Sequence, residues 1–182
     1  MSFSIINREK QYQGRSFDVS KVFFHLPTGD QRGYDLVEHG DSVTIIPIDE
    51  DGQIYFVSQY RVGSDSTLIE LPAGVLEERE EPMVCAMREI REEIGKAAYQ
   101  LKELGGFYLA PGYTDEYMTV FLAAGLFDSP LDPDADEFLD IVTMPTAEVY
   151  QKAVQGEFND GKTLAALLLA LPYLETGLFN KS

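Results

Sequence analysis

Residues 74–95 read GVLEEREEPMVCAMREIREEIG, and this stretch decides how the rest of the chain is interpreted. Pro82 suits the first turn of a helix and Gly95 suits its end, so a helix is predicted over Pro82–Ile94. At about 100° per residue, one face of this helix is apolar and should pack on a sheet. The members of that face are Met83, Ala86, Met87, Ile90 and Ile94.

The adjoining edge of the helix, which is expected to face solvent, carries three glutamates. Glu89 and Glu93 stand at i and i+4, and Glu92 is three residues from Glu89. Like charges at this spacing cost an isolated helix roughly a few tenths of a kcal/mol per pair, so the cluster makes sense if it holds a hard cation such as Mg²⁺. Arg88, four residues before Glu92, could orient this cluster through a bidentate pair. The alternative is a solvated helix face with an Arg–Glu pair. The glutamates by themselves favour that alternative.

The wider spacing around the helix favours the cation site instead. Five residues separate a glycine from a glutamate, and seven more lead to an Arg-Glu pair, which a Glu-Glu pair and a glycine follow. This pattern resembles the Nudix box, in which these residue types stand at these intervals. The matching positions are Gly74, Glu80, Arg88, Glu89, Glu92, Glu93 and Gly95. One position departs from the box, because Lys96 stands where an aliphatic residue is usual.

The resemblance extends to the ADP-ribose pyrophosphatase branch of the Nudix family. Pro111 stands fifteen residues beyond Lys96, close to the interval that marks this branch, and residues 111–116 (PGYTDE) resemble its substrate loop. The DGKT segment at 160–163 also occurs in GDP-mannose hydrolases, so the sugar and the base remain open. The other matching segments are Glu38-His39, residues 42–48, Gln59-Tyr60-Arg61 and the ELPAG segment at 70–74.

The resemblance implies a Nudix fold, which is an α/β/α sandwich with a mixed β-sheet, here preceded by N-terminal antiparallel strands. It implies Mg²⁺ or Mn²⁺ as the cofactor, and hydrolysis of ADP-ribose to AMP and ribose 5-phosphate. GDP-mannose, another sugar nucleotide or a dinucleotide would be alternative substrates, and an inactive nucleotide-binding module is a further alternative. The resemblance also implies a homodimer, to which strands within residues 1–40 contribute.

Residue roles follow from the same resemblance. The implied metal ligands are the carbonyl of Ala73 together with Glu89, Glu92, Glu93 and Glu137, and Arg88 belongs to the catalytic group. The implied substrate-binding residues are Arg61, Glu70, Pro111, Gly112 and Glu116. Related enzymes often carry a first glutamate, proposed as the base, where this chain has Ala135. We therefore assign the base to Glu92, with Asp134, Asp136 and Glu116 as alternatives.

Composition limits the remaining possibilities. The chain has 182 residues, which suits a single domain over 1–182, and its net charge of −17 would repel a nucleic-acid backbone. The one cysteine, Cys85, allows no internal disulfide and favours a cytoplasmic location. The longest apolar run, at 164–171, is too short to span a bilayer, so no membrane partner is expected.

Alternation of apolar residues and turn signals predict the other elements. Strands are expected over residues 15–27, 32–38, 42–49, 54–60, 67–71, 99–107, 117–122 and 138–144. Closing helices are expected over residues 145–154 and 162–171.

Overall fold

The structure is a computed structural model that describes residues 2–132 and 138–175. It divides into two compact units. The first unit comprises Met1–Asp41 and Phe107–Met118, and the second comprises Ser42–Gly106 and Thr119–Ser182.

The first unit contains a three-stranded antiparallel sheet. The strands β1 (Ser4–Gln13), β2 (Asp18–His25) and β3 (Gln31–Glu38) follow one another in order. The turn between β2 and β3 needs Gly29, whose φ of +92° few other residues adopt. Two of these strands match the predicted ones within a few residues, but β1 was not predicted. Every residue of β1 is exposed, so its sequence lacks the one-sided apolar alternation that identifies a half-buried strand.

The second unit is built on a sheet whose strands run in the order β10-β5-β4-β9-β8, with β6 paired to β5 and β7 paired to β4. The strands are β4 (Ser42–Ile48), β5 (Gln53–Arg61), β6 (Ser66–Glu70), β7 (Ala73–Val75), β8 (Lys96–Tyr108), β9 (Tyr117–Asp128) and β10 (Asp140–Pro145). The helices are α1 (Pro82–Ile94), α2 (Thr146–Gln155) and α3 (Gly161–Glu175). All the strands and helices predicted for this unit are present, α1 with the predicted ends and the others with shifted ends. The three-residue strand β7 was not predicted.

The central strand β4 is buried along its whole length because helices cover both of its faces. Val43 and Ile45 belong to a core that also contains Ile90 and Ile94 of α1. Residues alternate between the two faces of a strand, and α3 also contacts β4. The result is an α/β/α sandwich with a mixed sheet, and it confirms the predicted fold class.

Helix α1 has the predicted ends but not the predicted buried face. Gly95 ends the helix in the left-handed conformation, with φ of 68°, and its N–H bonds to the Ile90 carbonyl. Met83 and Met87 were expected to be buried, but they are 47% and 53% exposed. The residues that α1 buries are Cys85, Ala86, Glu89, Ile90, Glu93 and Ile94. The expectation that Glu89 and Glu93 lie on a solvent-facing edge was therefore wrong, because the helix is rotated so that both carboxylates turn inward.

Within the described part of the chain, no helix is both long and apolar enough to cross a membrane.

Candidate active site

Strand β7 brings backbone groups to the two buried glutamates of α1. The strand is held by antiparallel pairing to β4, with Ala73 opposite Thr44. The N–H of Ala73 donates a hydrogen bond of 3.0 Å to Oε2 of Glu93. At Gly74, a Cβ atom would lie closer than 3.0 Å to three atoms of the Glu89 carboxyl group. Glycine at position 74 allows the carboxylate of Glu89 to pack directly against the backbone there.

Arg88 links the glutamates of the helix to the loop that precedes it. Its Nη1 donates to Oε1 of Glu89 at 2.6 Å and to Oε2 of Glu92 at 2.9 Å. Its Nε and Nη2 donate to the two oxygens of Glu80 at 3.0 and 2.8 Å. The predicted pair with Glu92 is therefore present, but the bidentate pair is made with Glu80 instead. Glu80 lies in the loop just before α1, so helix periodicity alone does not reveal this contact.

These charges shift the ionisation of their neighbours. Hydrogen bonds from Arg88 lower the pKa of Glu80 to about 2, and they outweigh the opposing effect of burial. Burial in turn raises the pKa of the Cys85 thiol, and the nearby charge of Glu89 raises it further. Cys85 is therefore a neutral packing residue, as its place in the apolar core also indicates.

A second charged cluster lies at the end of β6. Glu70 is 1% exposed and accepts two bonds from Arg61, from Nε to Oε1 at 2.9 Å and from Nη2 to Oε2 at 2.7 Å. Oε2 of Glu70 also accepts a hydrogen bond from Nζ of Lys162. Burial by itself would raise the pKa of Glu70, but the hydrogen bond from Arg61 and the charge of Lys162 outweigh burial, so that the pKa is lowered. Glu70 is a buried carboxylate that stays ionised.

The predicted substrate-loop residues belong to the first unit. There, the end of β3 and the loop before β9 are joined by a hydrogen bond of 2.7 Å from the Val37 N–H to the Tyr113 carbonyl. The N–H of His39 donates to Oδ1 of Asp115 at 3.0 Å, and Nδ1 of His39 lies 3.6 Å from Oε2 of Glu116. Pro111 and Gly112 stand in the same loop. Glu137, Asp134, Ala135 and Asp136 lie outside the described residues.

The oxygen atoms beside β7 are of the type that binds a divalent cation, and they lie close together. Carboxylates and backbone carbonyls are the ligands that hard cations take, and Ala73, Glu89 and Glu93 lie together in this structure. Among the described residues, however, no three His, Cys, Asp or Glu side chains are arranged as a ready set of metal ligands. Glu89 and Glu92 instead both accept bonds from Arg88, so a cation would compete with the guanidinium for the same carboxylates.

The family model described as "NUDIX domain" matches residues 38–167, a range that contains all of α1 and β7. The chain belongs to the Nudix family. An ADP-ribose pyrophosphatase of Bacillus subtilis (strain 168) is 32% identical to this Nudix protein over 164 residues, which cover 89% of each chain. An ADP-ribose pyrophosphatase of Mycobacterium tuberculosis is 34% identical over 170 residues, covering 91% of this chain and 82% of its own length. A crystal structure titled as an ADP compounds hydrolase superposes with a TM-score of 0.85 at 27% identity, covering 97% of this chain and 96% of the other.

Sequence reasoning did not anticipate three contributors to this Nudix site. Glu80 was recognised as a box position, but its bidentate bond to Arg88 was not foreseen. Lys162 and Thr163 were noted only as part of the DGKT segment, whereas Lys162 bonds to Glu70 and the Thr163 hydroxyl accepts the Leu71 N–H at 2.9 Å. The DGKT segment supplies the residues for these contacts. It lies 92 residues from the ELPAG segment, so the sequence does not reveal that the two segments meet.

Replacing Gly74 with alanine tests whether the position of the Glu89 carboxylate matters more for activity than for folding. The new Cβ meets the end of a flexible side chain, so Glu89 can swing away and the fold can survive. We expect Nudix hydrolase activity to fall by a factor on the order of 10 or more, with a change in Tm of only a few degrees, as befits a destabilisation of about 1 kcal/mol. Gly63→Ala is the control, because a Cβ at Gly63 has no neighbour within 4 Å. Full activity in Gly74→Ala would show that the Glu89 position is unimportant.

Proposed function

We propose that this Nudix hydrolase uses a divalent cation, Mg²⁺ or Mn²⁺, to cut the pyrophosphate bond of ADP-ribose, giving AMP and ribose 5-phosphate. The observation that carries the proposal is the approach of the Glu89 and Glu93 carboxylates to the backbone of Ala73 and Gly74. Glu89, Glu92 and Glu93 are all present in the chain, which disfavours the alternative of an inactive nucleotide-binding module.

The proposed ligands of the cation are the Ala73 carbonyl and the carboxylates of Glu89, Glu92 and Glu93, with Glu137 in a supporting position. A divalent cation at these oxygens would offset the negative charge of the pyrophosphate and favour both the attack by water and departure of the leaving phosphate. Other groups of the chain hold these carboxylates in position. Arg88 orients Glu89 and Glu92, and Ala73 orients Glu93 through its N–H.

Glu92 is our choice for the base that takes a proton from the attacking water. Its side chain is 20% exposed, so it is in contact with solvent, whereas Glu89 and Glu93 are almost fully buried. Glu92 is also held by Nη1 of Arg88 at 2.9 Å, which fixes its direction on the helix. A base must be both oriented and accessible to water, and Glu92 combines the two properties.

The choice of ADP-ribose is supported by two similarities. Relatives at 32% and 34% identity are named ADP-ribose pyrophosphatase, and both alignments cover about nine-tenths of this chain. Residues 111–116, which include Pro111, Gly112 and Glu116, resemble the substrate loop of that branch. We further propose that Arg61 binds the substrate phosphates or the terminal sugar, because its guanidinium bonds to the buried Glu70 while its side chain stays 43% exposed.

We also propose that residues 1–182 act as one hydrolase domain that works as a cytoplasmic homodimer. The single cysteine is consistent with a reducing compartment. In the first unit, large apolar side chains stand exposed on the sheet, including Phe3 at 67%, Ile5 at 62% and Tyr34 at 61%. Such side chains are typical of a surface that another subunit covers.

A substrate panel tests the proposed reaction. With Mg²⁺ present, AMP should be released from ADP-ribose with a kcat/KM well above that for ATP, GDP-mannose or a dinucleotide, measured by chromatography of the products. A chelator should abolish the release, and added Mg²⁺ or Mn²⁺ should restore it. Preferred hydrolysis of ATP, or turnover that persists in chelator, would contradict the proposal.

Substitution of the candidate bases tests the assignment of Glu92. Glu92→Gln should lower kcat at saturating substrate by a factor on the order of 10²–10⁴. The comparison variants are Glu116→Gln, Asp136→Asn and Glu137→Gln, and Glu78→Gln is the control because Glu78 is 88% exposed on its side chain. If Glu92→Gln keeps most of its kcat while one comparison variant loses it, the base has been assigned wrongly.

Light scattering tests the proposed dimer. The wild-type protein should show about twice the chain mass of 20.4 kDa. Ile5→Lys should reduce this mass toward that of one chain, because it places a charge among the exposed apolar side chains of β1. Val154→Lys, at an 89% exposed position on α2, is the control and should leave the mass unchanged. A monomeric wild-type protein would refute the proposal.

A further inference from the structure

The carboxylate of Glu70 is shared by two cations, although one would be enough to neutralise it. Arg61 binds both of its oxygens, and Lys162 binds Oε2 as well. Glu70 is 1% exposed, so leaving it without a partner would carry the full cost of a buried, uncompensated charge. The presence of a second cation means that Glu70 does not depend on Arg61 alone.

The two cations are fixed to different degrees. The Lys162 side chain is 11% exposed, and its Nζ also donates to Oδ2 of Asp160 at 2.9 Å. Asp160 is itself committed to the start of α3, because the same oxygen accepts the Thr163 N–H at 3.0 Å and the Thr163 hydroxyl at 2.6 Å. Arg61, by contrast, ends strand β5 and its side chain is 43% exposed. Lys162 is therefore a fixed counter-charge, whereas Arg61 can redirect part of its guanidinium.

An arginine that binds a phosphate must share its charge between that phosphate and any carboxylate it already holds. If Arg61 were the only partner of Glu70, any movement of its guanidinium toward a phosphate would leave the buried carboxylate without a counter-charge. A second cation on Oε2 lessens this competition, because Lys162 continues to bond to Glu70 while Arg61 turns outward. The guanidinium has five donors, of which two bond to Glu70, so it can serve both partners.

We propose that Lys162 is a positioning residue for substrate binding, which holds the charge of Glu70 so that Arg61 is available to the phosphates of the substrate. The inference rests on the proposed function for the role of Arg61 in binding the sugar nucleotide. It assigns to Lys162 an effect that acts through Glu70, without direct contact with the substrate. Removing Lys162 would leave Arg61 as the sole partner of Glu70 and bind it more tightly there.

A double-mutant cycle between Lys162 and Glu70 tests this role. Lys162→Met should raise KM for ADP-ribose by a factor on the order of 10 and leave kcat within a factor of about 3, and Lys162→Arg should restore most of the affinity. In the Glu70→Gln background the residue at position 70 needs no counter-charge, so adding Lys162→Met should change KM by less than a factor of about 3. An equal rise in KM in both backgrounds would overturn the proposal, because Lys162 would then act on the substrate itself. A loss of kcat alone would overturn it as well.

Chemical modification of Arg61 gives a readout that needs no substrate. Peptide mapping after treatment with phenylglyoxal should show slower modification of Arg61 in Lys162→Met than in the wild type, measured against Arg79, whose side chain is 90% exposed. Glu70→Gln should speed the modification and remove its dependence on Lys162. If the wild-type protein hydrolyses none of the panel, the proposed function fails, and this experiment still decides the role of Lys162. Equal rates of Arg61 modification in the wild type and Lys162→Met would overturn the proposed role of Lys162.

Discussion

The site depends on one electrostatic constraint, which is that several carboxylates are gathered around a single guanidinium. Glu80, Glu89 and Glu92 all accept bonds from Arg88. Glu93 belongs to the same helix edge and is held by a backbone N–H, which brings no net charge. Four carboxylates with one cation leave an excess of negative charge in partly buried surroundings, where repulsion is stronger than in water. A divalent cation is the natural complement to that excess.

The rest of the second unit holds this cluster in place. Strand β4 is covered on both faces, and it pairs with β7, so the backbone at Ala73 and Gly74 is fixed beside α1. The carbonyl of Pro72, just before β7, accepts the Ile45 N–H at 2.9 Å and the Thr44 hydroxyl at 3.2 Å. Burial of Ile90 and Ile94 in the core then sets the rotation of α1 about its axis. A rigid sheet and an apolar helix face thus impose the geometry that the like charges would otherwise resist.

Local signals in the sequence were sufficient for some features and insufficient for others. The ends of α1 were predicted correctly because Pro82 and Gly95 act through backbone conformation, which depends on neighbouring residues alone. The buried face of α1 was predicted wrongly, because hydrophobicity placed Met83 and Met87 in the interior. Cys85, Glu89 and Glu93 are buried there instead. Strand β1 was not predicted because all of its residues are exposed. Strand β7 was not predicted because three residues are too few to show an alternating pattern. The roles of Glu80 and Lys162 depend on contacts between distant segments, which a single sequence does not specify.

A chain with a net charge of −17 has to supply positive charge locally if it is to bind an anion, and its two charged clusters divide this task. The cluster around Arg88 is dominated by carboxylates, so it suits a cation that in turn attracts phosphate. The cluster around Glu70 is balanced, because Arg61 and Lys162 face Glu70 and Asp160. The pKa of Arg61 is raised chiefly by its hydrogen bonds to Glu70, and the charge of Glu93 adds to the increase, so the two clusters are close enough to influence each other. In the proposed function, a single pyrophosphate meets a bound cation on one side and the Arg61 guanidinium on the other. Two short-range contacts of this kind would favour small phosphate esters over long polyanions, which the overall charge repels.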